Sequence, residues 1–223
     1  MDAKLLAQGL AKALSRLLLT ALLLFAPAGT LAWREGWRFL GLLFLPMLVG
    51  GTVMFFKAPE LLRRRLNVRE RQAGQRRVIL LSGAMFVAGF ALAGLGVRFG
   101  WKALPRRASL LASAVFLAGY ALFAEVLREN EYLSRTVEVA AGQRVVDTGL
   151  YGVVRHPMYA ATLLMFLAMP LSLGSLPALI PFPAYPFILA RRIAGEEALL
   201  LRELPGYDAY MGKVRWRLLP GVW

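Results

Sequence analysis

The chain has no cysteine and a single histidine, His156. Without cysteine there can be no disulfide, no thiolate metal site and no cysteine nucleophile. With one imidazole, neither a bis-histidine haem nor a multi-histidine metal centre can be built within the chain, and no metal ion is expected. Acidic groups are also scarce: 13 Asp+Glu stand against 27 Lys+Arg, a formal net charge of +14, and charged residues make up only 18% of the total. What is abundant is apolar: 58% of the residues are hydrophobic and the mean hydropathy is +0.57. They come in long blocks, so an integral membrane protein is expected. In a soluble chain the basic excess would suggest nucleic acid. Here the basic residues lie between apolar blocks, so membrane lipids and topology account for them, and no nucleic-acid partner is expected.

Six apolar spans can be read, at about 14–32, 39–56, 78–97, 108–127, 158–173 and 176–190. A stretch of about 20 helical residues crosses the hydrocarbon core. The last two spans are short, closely joined at Gly174-Ser175, and surrounded by Pro170, Pro177, Pro181, Pro183 and Pro186. They predict a tight helical hairpin with irregular crossing. The N-terminal Lys4, Lys12 and Arg16, followed by an apolar run and "APAGTLA", also fit a cleavable signal peptide. An uncleaved first span is expected instead, because more spans follow. With six crossings, 21 of the 27 Lys and Arg fall on one side: the N-terminus, 57–77, 128–157 and the C-terminal tail. The positive-inside rule assigns that side, and both termini, to the cytoplasm. The fold class read here is all-α and polytopic, with about five to six transmembrane helices. It forms a single domain, 1–223, whose N-terminal helices occupy 1–127.

Two stretches on the basic side are more than simple linkers. In "KAPELLRRRLNVRERQAGQRR" (57–77), Leu61, Leu62 and Leu66 share a face, which predicts a basic helix lying on anionic headgroups. In "SRTVEVAAGQRVVDTG" (134–149), alternating valines predict a short extended excursion or hairpin. No internal repeat or second soluble domain is present.

The chemistry-bearing residues are concentrated near the end of the chain. "YGVVRHPMY" (151–159) sets Arg155, His156 and Pro157 at the mouth of an apolar span, between Tyr151 and Tyr159. These could be plain interfacial anchors around a helix start, or they could hold a polar ligand at the membrane surface. In "RRIAGEEALLLRELPGYDAY" (191–210), a helix would put Arg192 and Glu196 four residues apart on one face, with Glu197 beside them. Taken alone such a pair is an ordinary surface salt bridge, worth little. Its company is less ordinary, since Tyr207, Tyr210, Arg215, Trp216 and Arg217 follow directly. Tyrosine faces at that depth either anchor the interface or wall a site for a cation. Glu125, near the end of the fourth span, is the main candidate for an intramembrane relay, and its position suggests an interfacial residue.

Taken in order, "GLYGVVRHPMY", "RRIAGEE", "GYDAY" and "RWRLLPGVW" resemble the C-terminal signature of the isoprenylcysteine carboxyl methyltransferase family, much of which the phospholipid N-methyltransferases share. The resemblance runs from about residue 128 to the end. Leu150 stands where that pattern commonly has proline, and Leu204-Pro205 where it has a phenylalanine-containing approach to Gly206. "APELLRRR" and the span pattern agree loosely with bacterial relatives, which implies an inner-membrane location.

The resemblance implies a cytoplasmic catalytic half, 128–223, that binds S-adenosylmethionine and meets a lipophilic substrate from the bilayer. It carries over Tyr151, Arg155, His156, Pro157, Tyr159, Glu197, Tyr207 and Tyr210 as cofactor-binding residues. Arg192 and Glu196 are the catalytic pair. Arg155 or His156 would suit the cofactor's carboxylate, and Glu197 its ribose hydroxyls. A carboxylate acceptor, already ionised, would need only orientation by Arg192, with Glu196 steadying the guanidinium. An amine acceptor, as in phospholipid N-methylation, would instead need Glu196 as base. A reading from a different class, a small transporter or scaffold, has few intramembrane ionisable groups to work with.

Overall fold

A computed structural model describes residues 3–66, 73–134 and 136–223. Part of the basic stretch (67–72) and Arg135 therefore lie outside the described residues. Among the described residues there are eight α-helices and no strand. They are α1 (Ala3–Ala28), α2 (Arg34–Lys57), α3 (Pro59–Leu66), α4 (Ala73–Arg98), α5 (Arg106–Glu129), α6 (Pro157–Ser172), α7 (Ala184–Glu203) and α8 (Tyr207–Lys213).

Four of these, α1, α2, α4 and α5, are long and apolar enough to cross a membrane. Each has at least 24 residues, hence about 36 Å at 1.5 Å per residue, against a hydrocarbon core of about 30 Å. Their outward faces carry Leu10, Leu14, Leu18, Leu22, Leu80 and Leu111, all exposed. In water so large an apolar surface would drive association, whereas lipid tails solvate it at no penalty.

The fifth apolar span is α6, packed most extensively against α5. Gly119 lets the two axes approach, since an added Cβ would overlap the Met165 side chain and lie 3.2 Å from the Ala161 carbonyl oxygen. Only 16 residues long, α6 still reaches the far end of the bundle. There Leu104 N–H donates to the Gly174 carbonyl at 2.9 Å, and Ala103 bridges to Ser175. At the same end Arg38 of α2 donates to Ser109 Oγ of α5 and, at 2.6 Å, to the Ser172 carbonyl of α6. One guanidinium thus ties three helices together there.

The expected sixth span, 176–190, is not one helix. A 3-10 turn occupies Pro177–Leu179, and α7 begins only at Ala184 and continues to Glu203. The prolines explain the break: Pro177, Pro181 and Pro183 lack the N–H that a continuous helix requires. The segment nevertheless returns along α4, passing Gly96 at Ser175, Gly89 at Phe182 and Gln75 at Arg192. The chain therefore comes back to the end from which α6 started.

Two further expectations need correction. Residues 134–149 form neither strand nor hairpin among the described residues; a turn at Gly142 (φ 71°) and side-chain bonds satisfy the backbone instead. Among the latter, Ala140 N–H donates to the Gln143 side chain at 2.8 Å. The basic helix α3 is also not simply laid on headgroups. Leu61 and Leu62 are buried, Arg64 lies over the Tyr132 ring and Arg65 over Phe123. Two of its cations cover protein aromatics, an attraction that a ring face provides.

With no native cysteine to interfere, orientation can be tested directly. In intact cells, Lys102→Cys should react with an impermeant thiol reagent, and Ala141→Cys should react only after permeabilisation. The opposite pattern would overturn the assignment of the basic side to the cytoplasm.

Candidate active site

At the return end of the bundle the 3-10 turn Gly149–Gly152 leads into α6. Gly149 has φ 50°, and an added Cβ would fall on the Glu129 carboxylate. That carboxylate accepts the Leu150 N–H at 3.0 Å, which fixes the turn to the end of α5. His156 then forms the N-cap of α6 and Pro157 its first residue. Proline suits that position, since its missing N–H would have had no helical partner. The N–H groups of Arg155 and His156 point the other way and donate to the carbonyls of Trp216 and Arg217, each at 2.9 Å. The C-terminal tail is therefore built into the site.

Buried at the centre is Glu197 of α7, with 4% of its surface exposed. Its Oε1 accepts Arg155 Nε at 2.8 Å and lies 3.2 Å from His156 Nε2. Its Oε2 accepts Arg217 Nε at 2.9 Å. Burial by itself would raise this carboxyl, but hydrogen bonds from His156, Arg155 and Arg217 outweigh it and hold the group at about 2. Arg155 Nη1 also donates to the carbonyls of Val214 and Arg215, at 2.8 and 2.7 Å. Arg217 stacks its guanidinium over the Trp223 ring, 5.3 Å from the centroid.

The second group lies one residue away. Arg192 and Glu196 share a face of α7 as their spacing requires, and Arg192 is buried, which removes the surface-pair reading. The bonds seen between them run through a third residue. Arg192 Nε donates to the Tyr159 hydroxyl at 3.2 Å, and that hydroxyl donates to Glu196 Oε2. Arg192 Nη1 also donates to Gln75 Oε1 of α4 at 3.1 Å. The ring of Tyr159 stacks on His156, centroids 5.7 Å apart, so the two groups touch.

The tyrosines divide by role. Tyr210 donates to the Tyr151 carbonyl at 2.7 Å, and Asn130 donates to the Tyr151 hydroxyl at 2.9 Å, so these two lock α8 and the 3-10 turn in place. Tyr207 is buried and its hydroxyl has no hydrogen-bond partner among the described residues. Burial, with Glu197 and Glu196 nearby, pushes that phenol upward and keeps it protonated. A buried hydroxyl left in this state is a donor in want of an acceptor.

A narrow polar cleft of about 50 Å³ opens beside Tyr159, Arg192 and Glu196, with Ser134, Thr136 and Gln143 on its other wall. A larger hollow of about 300 Å³, bounded by Asp147, Gly206 and Tyr210, shares Gln143 with it. Among the described residues no cluster of acidic and histidine groups could hold a metal ion.

Residues 110–202 match the model of the isoprenylcysteine carboxyl methyltransferase (ICMT) family. The resemblance carried by the motifs is borne out over that stretch. It covers most of α5, all of α6 and nearly all of α7, and contains Tyr151, Arg155, His156, Pro157, Tyr159, Arg192, Glu196 and Glu197. Tyr207, Tyr210 and Arg217 follow it, and Gln75 precedes it. Comparison with curated proteins finds no match.

Sequence reasoning missed Gln75 entirely, because nothing in "RQAGQRR" distinguishes it from a surface glutamine. It noted Arg217 in its motif but not as a partner of Glu197. The polar wall at Ser134, Thr136 and Gln143 was hidden inside the expected hairpin.

The Glu197 cluster sets an acid limit on stability. Its folded carboxyl titrates below the ordinary 4.5, so its stabilisation is complete above that value and is lost as pH falls toward about 2. Melting in detergent should show this loss between those limits. Glu197→Gln should melt lower at neutral pH, since breaking a buried ion pair costs about 3–5 kcal/mol, and should lack the acid-dependent decline. An unchanged melting point in the variant would contradict the cluster's role.

Proposed function

We propose that this chain is an integral membrane methyltransferase that transfers a methyl group from S-adenosylmethionine to a lipophilic carboxylate. An isoprenoid acid or prenylcysteine-like compound is the acceptor class. One observation supports this above the rest. A buried arginine–tyrosine–glutamate chain faces a polar cleft, directly beside a carboxylate held by two arginines and the histidine, and both chain and carboxylate lie within the stretch matching the ICMT family.

The residues suit the cofactor chemically. Its carboxylate needs cationic or N–H donors, and Arg155 Nη2 has no bond among the described residues; His156, whose Nε2 faces Glu197, donates from Nδ1 as the imidazolium. Its hydroxyls need acceptors, and among the described residues Glu197 Oε2 accepts only Arg217, which leaves lone-pair capacity. The partnerless Tyr207 hydroxyl offers a further donor. Ring faces such as Tyr159 suit a positive sulfur centre. When bound, the cofactor supplies an activated methyl on a sulfonium.

The protein's own task is alignment. Displacement at a methyl carbon requires nucleophile, carbon and leaving sulfur in line, and holding them so removes most of the entropic barrier. A carboxylate acceptor carries its own negative charge and needs no base. Arg192 orients it with the planar fork that matches a carboxylate. Tyr159 and Glu196 hold that fork at Nε, and Gln75 holds it at Nη1. The cleft has to widen for a nucleoside-sized ligand. The segment available to yield is 130–148, which carries neither helix nor strand among its described residues. The concentration of Lys and Arg at this end of the helices supports a cytoplasmic site; the bacterial inner membrane as its location rests on the motif resemblance alone.

Purified protein in detergent should bind S-adenosylhomocysteine. A ligand selective for the folded state, at about 100 times its dissociation constant, adds about 2.7 kcal/mol. The absence of both a melting shift and a calorimetric signal at saturating ligand would reject the cofactor. His156→Ala should weaken that binding. Arg192→Ala should preserve it while abolishing most methyl transfer, and Arg192→Lys should rescue only in part. Full turnover in well-folded Arg192→Ala would remove this residue from the mechanism.

A further inference from the structure

We propose that Gln75 is a positioning residue for methyl transfer, setting the orientation of Arg192 from outside the motif-bearing half of the chain. The proposal rests on the reading that Arg192 orients the acceptor.

Gln75 lies in the first turn of α4 and is 3% exposed. Both ends of its amide are used on the same residue. Oε1 accepts Arg192 Nη1 at 3.1 Å, and Nε2 donates to the Arg192 carbonyl at 3.3 Å. The amide thus fixes a side chain and the backbone that carries it, two constraints that one packing contact could not impose. A buried primary amide held at both ends has one orientation, since rotating it by half a turn would set donor against donor.

A second observation on another helix supports the same reading. Gly195 lies three residues after Arg192 on α7, and an added Cβ there would overlap Gln75 Nε2. Glycine in a helix interior is unfavourable relative to alanine by roughly 1 kcal/mol. The missing side chain is the space the Gln75 amide occupies. The overlapping atom is the tip of a flexible side chain, so alanine at 195 would push the amide aside and leave the backbone of both helices in place.

The geometry also separates Gln75 from the other support. Tyr159 and Glu196 act at Arg192 Nε, and Gln75 acts at Nη1 on the α4 side. Together they leave the guanidinium little freedom to rotate. Without the amide, Nη1 would lose the bond that fixes it to α4, and the fork could turn away from an acceptor carboxylate without loss of the fold.

The test uses the full chain in detergent, with an S-prenylated N-acetylcysteine as acceptor probe and S-adenosylhomocysteine as cofactor probe. Gln75→Leu and Gly195→Ala should each lower turnover by about 10- to 100-fold, as loss of one hydrogen bond to a charged group implies. Both should keep the S-adenosylhomocysteine dissociation constant within about twofold, an estimate for a group outside the cofactor contacts. In a Gln75→Ala background, Gly195→Ala should have no further effect, because the atom it displaces is gone. Independently of activity, the melting shifts of Gln75→Leu and Arg192→Leu should be non-additive in the double variant.

Additive melting shifts, or wild-type turnover in Gly195→Ala, would overturn the proposal. Loss of turnover and cofactor binding in parallel would also overturn it, since that marks a general structural role. The underlying reading fails differently: Arg192→Lys then turns over like the unsubstituted chain. Should Gln75→Leu not fold, Gly195→Ala still decides the question.

Discussion

The site depends on one buried carboxylate. Glu197 gathers Arg155 and His156 from the entry to α6 and Arg217 from the C-terminal tail, so two separated stretches of chain converge on α7. A charge at that depth is tolerable only because its lone pairs are met by cations and N–H donors. The same constraint explains the backbone pairing of Arg155 and His156 with the tail, which sets the two guanidinium groups on either side of the carboxylate. In a chain with few acidic residues, one of them organises the polar interior. Removing it would leave three cationic or imidazole groups without their common partner, an expensive state in a low dielectric.

Around that centre the rest of the fold works as a frame. The four long helices match the membrane thickness, while α6 and the broken return into α7 are shorter and are held between them. Arg38 fastens α2, α5 and α6 at the far end, and the Glu197 cluster fastens α6, α7 and the tail at the near end. The polar site therefore lies where apolar helices end, beside lipid on one side and water on the other. A lipophilic molecule and a charged cofactor can both reach such a place without either crossing the phase that rejects it. Under the proposed function, that is the physical reason for setting Arg155 and His156 immediately before an apolar helix.

Much of this was legible in the sequence, for identifiable reasons. Long apolar runs mark long helices because every backbone polar group in lipid must be satisfied internally. The four-residue spacing of Arg192 and Glu196 placed them on one face, since helix geometry is local. What joins them was not legible: Tyr159 belongs to another helix, and its hydroxyl meets both only after tertiary packing. Gln75 escaped notice for the same reason, lying 117 residues from its partner. The expected sixth span failed because hydropathy is blind to missing N–H groups, and three prolines between 177 and 183 outweigh apolar composition. The alternating valines at 137–146 suggested a hairpin, but without a neighbouring strand to pair with, Val137 lines the cleft, Val145 lines the hollow beside it and Val139 packs against the Tyr207–Tyr210 cluster.

Methyl transfer onto a lipophilic carboxylate is the central claim, and tritium from methyl-labelled S-adenosylmethionine tests it most directly. Membranes containing the protein should pass label into a lipid-extractable product. Mild base should then release that label as volatile methanol, because a methyl ester is cleaved and a methylated amine is not. No label in any lipid fraction would contradict methyl transfer itself, and label that survives base would contradict the carboxylate acceptor.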